Sequence, residues 1–194
     1  MRDNHFFAMM SRMKYIDRWQ LMRNTLEENI CEHSHNVAMI AHCLGVINNI
    51  YFGGDVNADR LAVMGIYHDA TEIITGDMPT PIKYYNPLIR DAYKEVESIA
   101  KADLLMGLPK EMQPIYDKVL QDTEEEAKLW QFVKAADKLS AYIKCLEEKS
   151  MGNSDFDKAT EATLAKVKEM NMPEVDFFLE KFIPAYMLTL DESR

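Results

Sequence analysis

Residues 64–81 read MGIYHDATEIITGDMPTP, and the fold turns on how this stretch is understood. His68, Asp69 and Glu72 stand in a run of Met, Ile, Tyr and Ala that otherwise reads as the interior of a buried helix. Burying a carboxylate without a partner costs several kcal/mol, so the three polar groups need something in common. On a helix, positions 68 and 72 share a face one turn apart, and 69 lies about 100° around the axis from 68. One helix could thus present all three to a single pocket. A divalent cation resolves the burial problem, because it is the positive partner that Asp69 needs while a neutral His68 offers a ring nitrogen. Two more ligands are wanted. His33, in CEHSH at 31–35, opens the preceding helix, with His35 and His42 as alternatives. Asp137, in VKAADKLSAY at 133–142, is another carboxylate on a face of Ala, Val and Leu.

Outward from this stretch the chain reads as helix after helix. Val37, Ile40, Ala41, Leu44 and Ile47 recur at helical spacing, predicting a helix over 32–50 that FGGD at 52–55 ends. Residues 58–75 are apolar on nearly every side, as expected of one central helix enclosed by others. Asn86 before Pro87 is a helix entry, and that helix should reach about 106. A shorter helix is expected over 110–121. Thr123 and Glu126 form a T-x-x-E capping box before a long helix reaching about 149, and amphipathic stretches follow over 156–170 and 174–182. The connection 76–86, polar and with two prolines, reads as a functional loop.

The 194 residues suit one domain, 1–194, and the composition, 47% hydrophobic with 7 Gly and 7 Pro, favours an all-α globular protein. With 32 acidic against 22 basic residues the net charge is −10, which opposes binding to a nucleic-acid polymer or an anionic membrane. Any phosphate must be held by local charges. Cys31, Cys43 and Cys145 are odd in number and scattered, with no C-x-x-C spacing, so neither disulfides nor a zinc knuckle are expected. Cys31 and Cys43 read as small buried residues, and the 14 methionines as soft core filler. No stretch has the length and apolarity of a signal sequence or membrane span, so a cytoplasmic location is expected. All five histidines precede residue 69.

The order His33, His68–Asp69, Asp137 resembles the H…HD…D signature of the HD-domain phosphohydrolases, an all-helical superfamily of metal-dependent enzymes. With DRW at 17–19 and GDMPTP at 76–81 included, the chain resembles the YfbR-like 5'-deoxynucleotidases over nearly its whole length. The resemblance implies a single-domain helical bundle of the HD type with about six to eight helices. It favours His33 over its neighbours and implies that His33, His68, Asp69 and Asp137 bind one divalent ion, Co2+ or Mn2+. It further implies hydrolysis of deoxyribonucleoside 5'-monophosphates by a homodimer.

In the same resemblance, Arg18 and Trp19 orient the phosphate. Asp77 meets the sugar hydroxyl and excludes ribose, with Pro79 and Thr80 beside it and His33, Asp69 and Asp137 also reaching the substrate. Arg18 suits a phosphate through two parallel hydrogen bonds. Glu72, beside the metal ligand Asp69, is the candidate for orienting the attacking water or taking its proton. Two rivals are an HD hydrolase of another phosphoester, such as a nucleoside triphosphate, and a catalytically silent nucleotide sensor. No P-loop and no basic cluster near the motifs suits a triphosphate.

Overall fold

The computed structural model describes residues 4–83, 85–120 and 126–192, except for the side chains of Thr80 and Pro81. Its architecture is all-α. The helices are α1 (Phe6–Met10), α2 (Ile30–Tyr51), α3 (Ala58–Tyr67), α4 (Glu72–Thr75), α5 (Thr80–Lys83), α6 (Pro87–Met106), α7 (Gln113–Leu120), α8 (Ala127–Ser150), α9 (Asp157–Lys168) and α10 (Pro173–Lys181). Among the described residues there is no strand, only a single antiparallel bridge joining Asp17 to Asn29.

Helix α2 begins where it does because the Asn29 side chain accepts the Cys31 and Glu32 N–H groups, while the Glu32 carboxylate returns to the Asn29 N–H. This capping box satisfies donors that the first turn leaves free and sets His33 in that turn. Gly65 of α3 lies against α2: a Cβ there would stand 2.7 Å from the Ala38 Cα. Only glycine permits so close an approach, and it brings the start of α2 and the end of α3 to one place. Val37, Ala41 and Leu44 of α2, Leu61 and Met64 of α3, and Ala135, Ala136 and Leu139 of α8 form the main core. Truncating a side chain as fully buried as Leu139 to Ala costs about 2–5 kcal/mol. A smaller core of Phe6, Ala70, Leu104 and Leu108 packs beneath the residues that follow α3.

The expected single helix over 58–75 is interrupted. His68 Nδ1 donates to the Gly65 carbonyl at 2.8 Å, taking the acceptor that a continuing α-helix would offer to the Asp69 N–H. The backbone tightens accordingly: the Ala70 N–H reaches the Tyr67 carbonyl and the Glu72 N–H the Asp69 carbonyl, each three residues back. The stretch is also less enclosed than its composition implies, because Val63, Ile66 and Ile74 are exposed. Gly76, with φ of 72°, ends α4, and the 76–86 connection contains the single turn α5.

Asn86 caps α6 through the Ile89 N–H with Pro87 in the first turn, as its sequence predicts. The helix expected over 110–121 begins at Gln113 as α7 and runs to Leu120, with residue 121 outside the described residues. Of the proposed capping box before α8, Thr123 lies outside the described residues, and Glu126 occupies the N-cap position without a side-chain cap. Cys31, expected to be buried, is exposed in the first turn of α2 on the side away from the core, while Cys43 is half-buried.

Candidate active site

Three backbone segments bring their polar groups to one point. The nitrogens of His33 and His68 and an oxygen of Asp69 lie within 4.8 Å of one another. His33, fully buried, places Nε2 3.1 Å from Asp137 Oδ1 of α8 and 3.6 Å from Asp69 Oδ2, while its Nδ1 lies 3.1 Å from Ser140 Oγ. His68 Nδ1 donates to the Gly65 carbonyl and leaves Nε2 facing Asp69 Oδ2, 3.1 Å away; burial works against a charge on this ring, but Asp69 outweighs it and raises the His68 pKa, so a cation at this point takes the place of the Nε2 proton. That Nε2 is buried and has no hydrogen-bond partner. Burial, then the Arg18 charge, lowers the His33 pKa to about 4, so its ring is neutral at neutral pH and also offers a lone pair.

With the His68 proton displaced, the imidazole lone pairs and the carboxylate oxygens that face them repel one another unless a positive charge lies among them. The donor set therefore fits a divalent cation: two imidazoles and two carboxylates suit a borderline transition metal. Burial opposes the charged form of Asp69, yet His68 and His33 hold its pKa below the ordinary range, and His33 together with His68 does the same for Asp137. Asp137 also stands 3.6 Å from Lys138, so the solvated pairing open to it in sequence exists alongside the contact with His33. The alternative histidines are elsewhere: His42 stands 3.5 Å from Asp59, and His35 is exposed on another surface.

A cleft of about 320 Å³ opens beside this cluster, lined by Arg18, Trp19, Met22, Asp77, Pro79 and Asp137 among others. Arg18 Nη1 is buried without a hydrogen-bond partner, and buried Nε meets only the Glu28 carboxylate, at 3.5 Å. Unmade bonds of a buried guanidinium are expensive, and a bidentate anion is the partner such a fork accepts. Burial works against the Arg18 charge, but Glu28, Asp137, Asp69 and Asp77 outweigh it and keep the group protonated. Trp19 holds φ of 56°, a left-handed conformation that costs a bulky residue about 1–3 kcal/mol. Asp77 is half-buried, with its pKa raised by burial. Thr80 lies in α5, and its side chain is outside the described residues.

Glu72 is buried behind Asp69, and its Oε2 has no hydrogen-bond partner. Burial first, then Asp69 and Asp77, raises its pKa far above the ordinary carboxylate range. A cation held by Asp69 would cancel one of those raising charges and return Glu72 toward its ionised form.

Several supporting residues are not evident from sequence. Glu28 accepts the Trp19 indole N–H at 3.1 Å. Ser140, three residues after Asp137 and so on the same helix face, meets His33. Lys144 and Glu148 form a buried pair one turn apart on α8 that anchors the 18–28 loop: Glu148 accepts the Thr25 and Leu26 N–H groups, and Lys144 donates to the Leu26 carbonyl. Their one sequence signal is the i, i+4 spacing in KCLEE at 144–148, which reads equally well as a surface pair.

A His, a His–Asp pair and an Asp converging on an all-helical frame define an HD-domain phosphohydrolase. Consistent with that class, the structure resembles an HD-domain phosphohydrolase from Listeria innocua with a TM-score of 0.82 and 26% identity, covering 97% of this chain and 91% of the other. Residues 5–186 match the family described as 5'-deoxynucleotidase YfbR-like, and the chain belongs to that family. A 5'-deoxynucleotidase of Photorhabdus laumondii is 47% identical over 189 residues, covering 97% of this chain and 96% of the relative. The HD phosphohydrolase of cyanophage S-2L, solved with dA and one catalytic Zn2+ ion, shares the fold at 18% identity with a TM-score of 0.67, covering 91% of this chain and 95% of the other.

Proposed function

We propose that this protein is a metal-dependent phosphomonoesterase that hydrolyses deoxyribonucleoside 5'-monophosphates to the deoxynucleoside and inorganic phosphate. One observation carries the reading: a cluster of two histidines and carboxylates stands beside a buried arginine whose Nη1 has no hydrogen-bond partner. His33, His68, Asp69 and Asp137 hold one divalent ion, Co2+ or Mn2+. When bound, such an ion supplies positive charge that polarises the phosphoryl oxygens and makes a nearby water more acidic.

The remaining work belongs to the chain's own side chains. Arg18 donates to two phosphate oxygens and offsets their charge, and Trp19 walls the phosphate beside it. Glu72 orients the attacking water through Oε2 and accepts its proton as the oxygen–phosphorus bond forms. The bond from phosphorus to the 5'-oxygen breaks, and that oxygen leaves as the sugar's 5'-hydroxyl after gaining a proton. Asp77 accepts a hydrogen bond from the 3'-hydroxyl and leaves no space for a 2'-hydroxyl, with Pro79 beside it in the cleft wall and Thr80 next in the chain.

We also place the enzyme in the cytoplasm as a homodimer. The free cysteines support the first, along with the lack among the described residues of any helix long and apolar enough to cross a membrane. Exposed Leu88, Ile99 and Met106 on one side of α6 support the second. Sedimentation at micromolar concentration tests the dimer. Phosphate release from a panel of ribo- and deoxyribonucleoside monophosphates tests the activity. Nucleotide binding without release under any metal would instead indicate a silent sensor.

A further inference from the structure

Arg18 and Trp19 belong to an irregular loop, yet their side chains are fixed, and the group that fixes them is Glu28. The Glu28 carbonyl accepts the Arg18 N–H at 2.8 Å. Its carboxylate Oε2 accepts the Trp19 indole N–H at 3.1 Å and lies 3.5 Å from Arg18 Nε. Arg18 and Glu28 side chains are 12% and 10% exposed, so water does little to weaken their attraction. Trp19 packs on Phe156 at 5.5 Å between ring centroids, and its carbonyl accepts the Met22 N–H and an Asn24 amide N–H. Those contacts fix the Trp19 backbone and one ring face. Only Glu28 fixes the polar edge of the indole among the hydrogen bonds described.

We infer that Glu28 is a positioning residue for the phosphate site, holding the Nε side of Arg18 and the indole N–H of Trp19 with one carboxylate so that the Nη groups of Arg18 face the cleft. This rests on the proposed role of Arg18 as phosphate holder. A carboxylate behind the guanidinium does two things. It sets the plane of the fork, which bidentate phosphate binding requires, and it keeps the arginine from turning to Asp77 or Asp137, the acids across the cleft. Glu28 itself does not touch substrate, so its contribution to kcat/KM passes through Arg18, and the Trp19 indole N–H serves to fix where the carboxylate sits.

A double-substitution cycle in the metal-loaded enzyme tests this, with kcat/KM for a deoxynucleoside 5'-monophosphate read at high enzyme concentration so that large losses stay measurable. Glu28→Ala is expected to lower kcat/KM by about 10- to 100-fold, the range for a displaced substrate-holding group. Glu28→Gln, which keeps an acceptor for the indole but no charge for Arg18, should fall between Glu28→Ala and the parent. On an Arg18→Ala background either change should alter kcat/KM by no more than about twofold. Parent-level activity in Glu28→Ala, or the full loss repeated on the Arg18→Ala background, overturns the inference. If Glu28→Ala does not fold, judged by its thermal melt, the Glu28→Gln arm decides by the same criterion. An Arg18→Ala enzyme as active as the parent would instead overturn the role of Arg18. An impaired Arg18→Ala with additive Glu28 effects removes Glu28 alone.

Discussion

Glu72→Gln is expected to make the enzyme far slower and the metal-free protein more stable. In the parent, Glu72 is buried with Oε2 unpartnered, and Asp69 and Asp77 add like charge, so its pKa lies well above its ordinary 4.5. The folded state thus holds this proton more tightly than the unfolded chain. Whatever stability the protonated carboxyl contributes is fully present below about pH 4.5 and is lost as pH rises toward the raised value. Gln cannot ionise, and its amide offers donors to the neighbouring carboxylates. An unsatisfied buried polar group costs about 1–3 kcal/mol, and in a chain of this length each kcal/mol moves Tm by roughly 2–4 °C. The chelated variant should therefore melt roughly 2–12 °C above the parent near pH 8, with the margin narrowing as pH falls toward 4.5, where the parent's carboxyl keeps its proton in the folded chain and largely in the unfolded one. With metal restored, kcat should fall ~10²- to 10⁴-fold with KM little changed, because proton transfer acts in the transition state. Calorimetric melts across pH and steady-state kinetics on one preparation measure both. A variant melting no higher than the parent at any pH, or a kcat within a few-fold, would refute this account of Glu72.

Asp137→Ala should lose activity through loss of the ion, since it removes one of four donors; metal analysis of the purified variant checks this, and a stoichiometric ion would remove Asp137 from the set. Asp77→Ala should lower kcat/KM for the deoxy substrate by roughly tenfold, the worth of the lost 3'-hydroxyl hydrogen bond, and narrow the gap to the ribo substrate because the 2'-hydroxyl is no longer excluded, as read from paired kcat/KM values. Glu148→Ala strands the buried Lys144 charge and frees the 18–28 loop, so a loss of about 3–5 kcal/mol, or roughly 6–20 °C in Tm, is expected in thermal melts.

The helices were legible wherever local chemistry decides them: the Asn86–Pro87 entry, the spacing of Val37, Ala41 and Leu44, and the end of the long helix near residue 149 all appear where the sequence places them. The metal cluster was legible because a carboxylate in an apolar run is costly without a partner. The interruption after Tyr67 was not, since it depends on a side chain, His68, competing with its own backbone for the Gly65 carbonyl. Composition predicts an enclosed helix there and cannot say which side faces water. Glu28, Ser140 and the Lys144–Glu148 pair were hidden for a different reason. Acids and lysines in a helix or loop read as solvated until long-range packing buries them, and Glu148 meets Thr25 across 123 positions of chain.

The central claim, a metal-dependent phosphatase selective for the deoxy sugar, is tested most directly by one measurement. The protein is stripped with a chelator, and phosphate release from a matched deoxy- and ribonucleoside 5'-monophosphate is followed as Co2+ or Mn2+ is returned. The account predicts no release before metal, recovery as the ion is restored, and a kcat/KM that strongly favours the deoxy substrate. Full activity in the stripped protein, or equal rates on the two sugars with metal present, would contradict it.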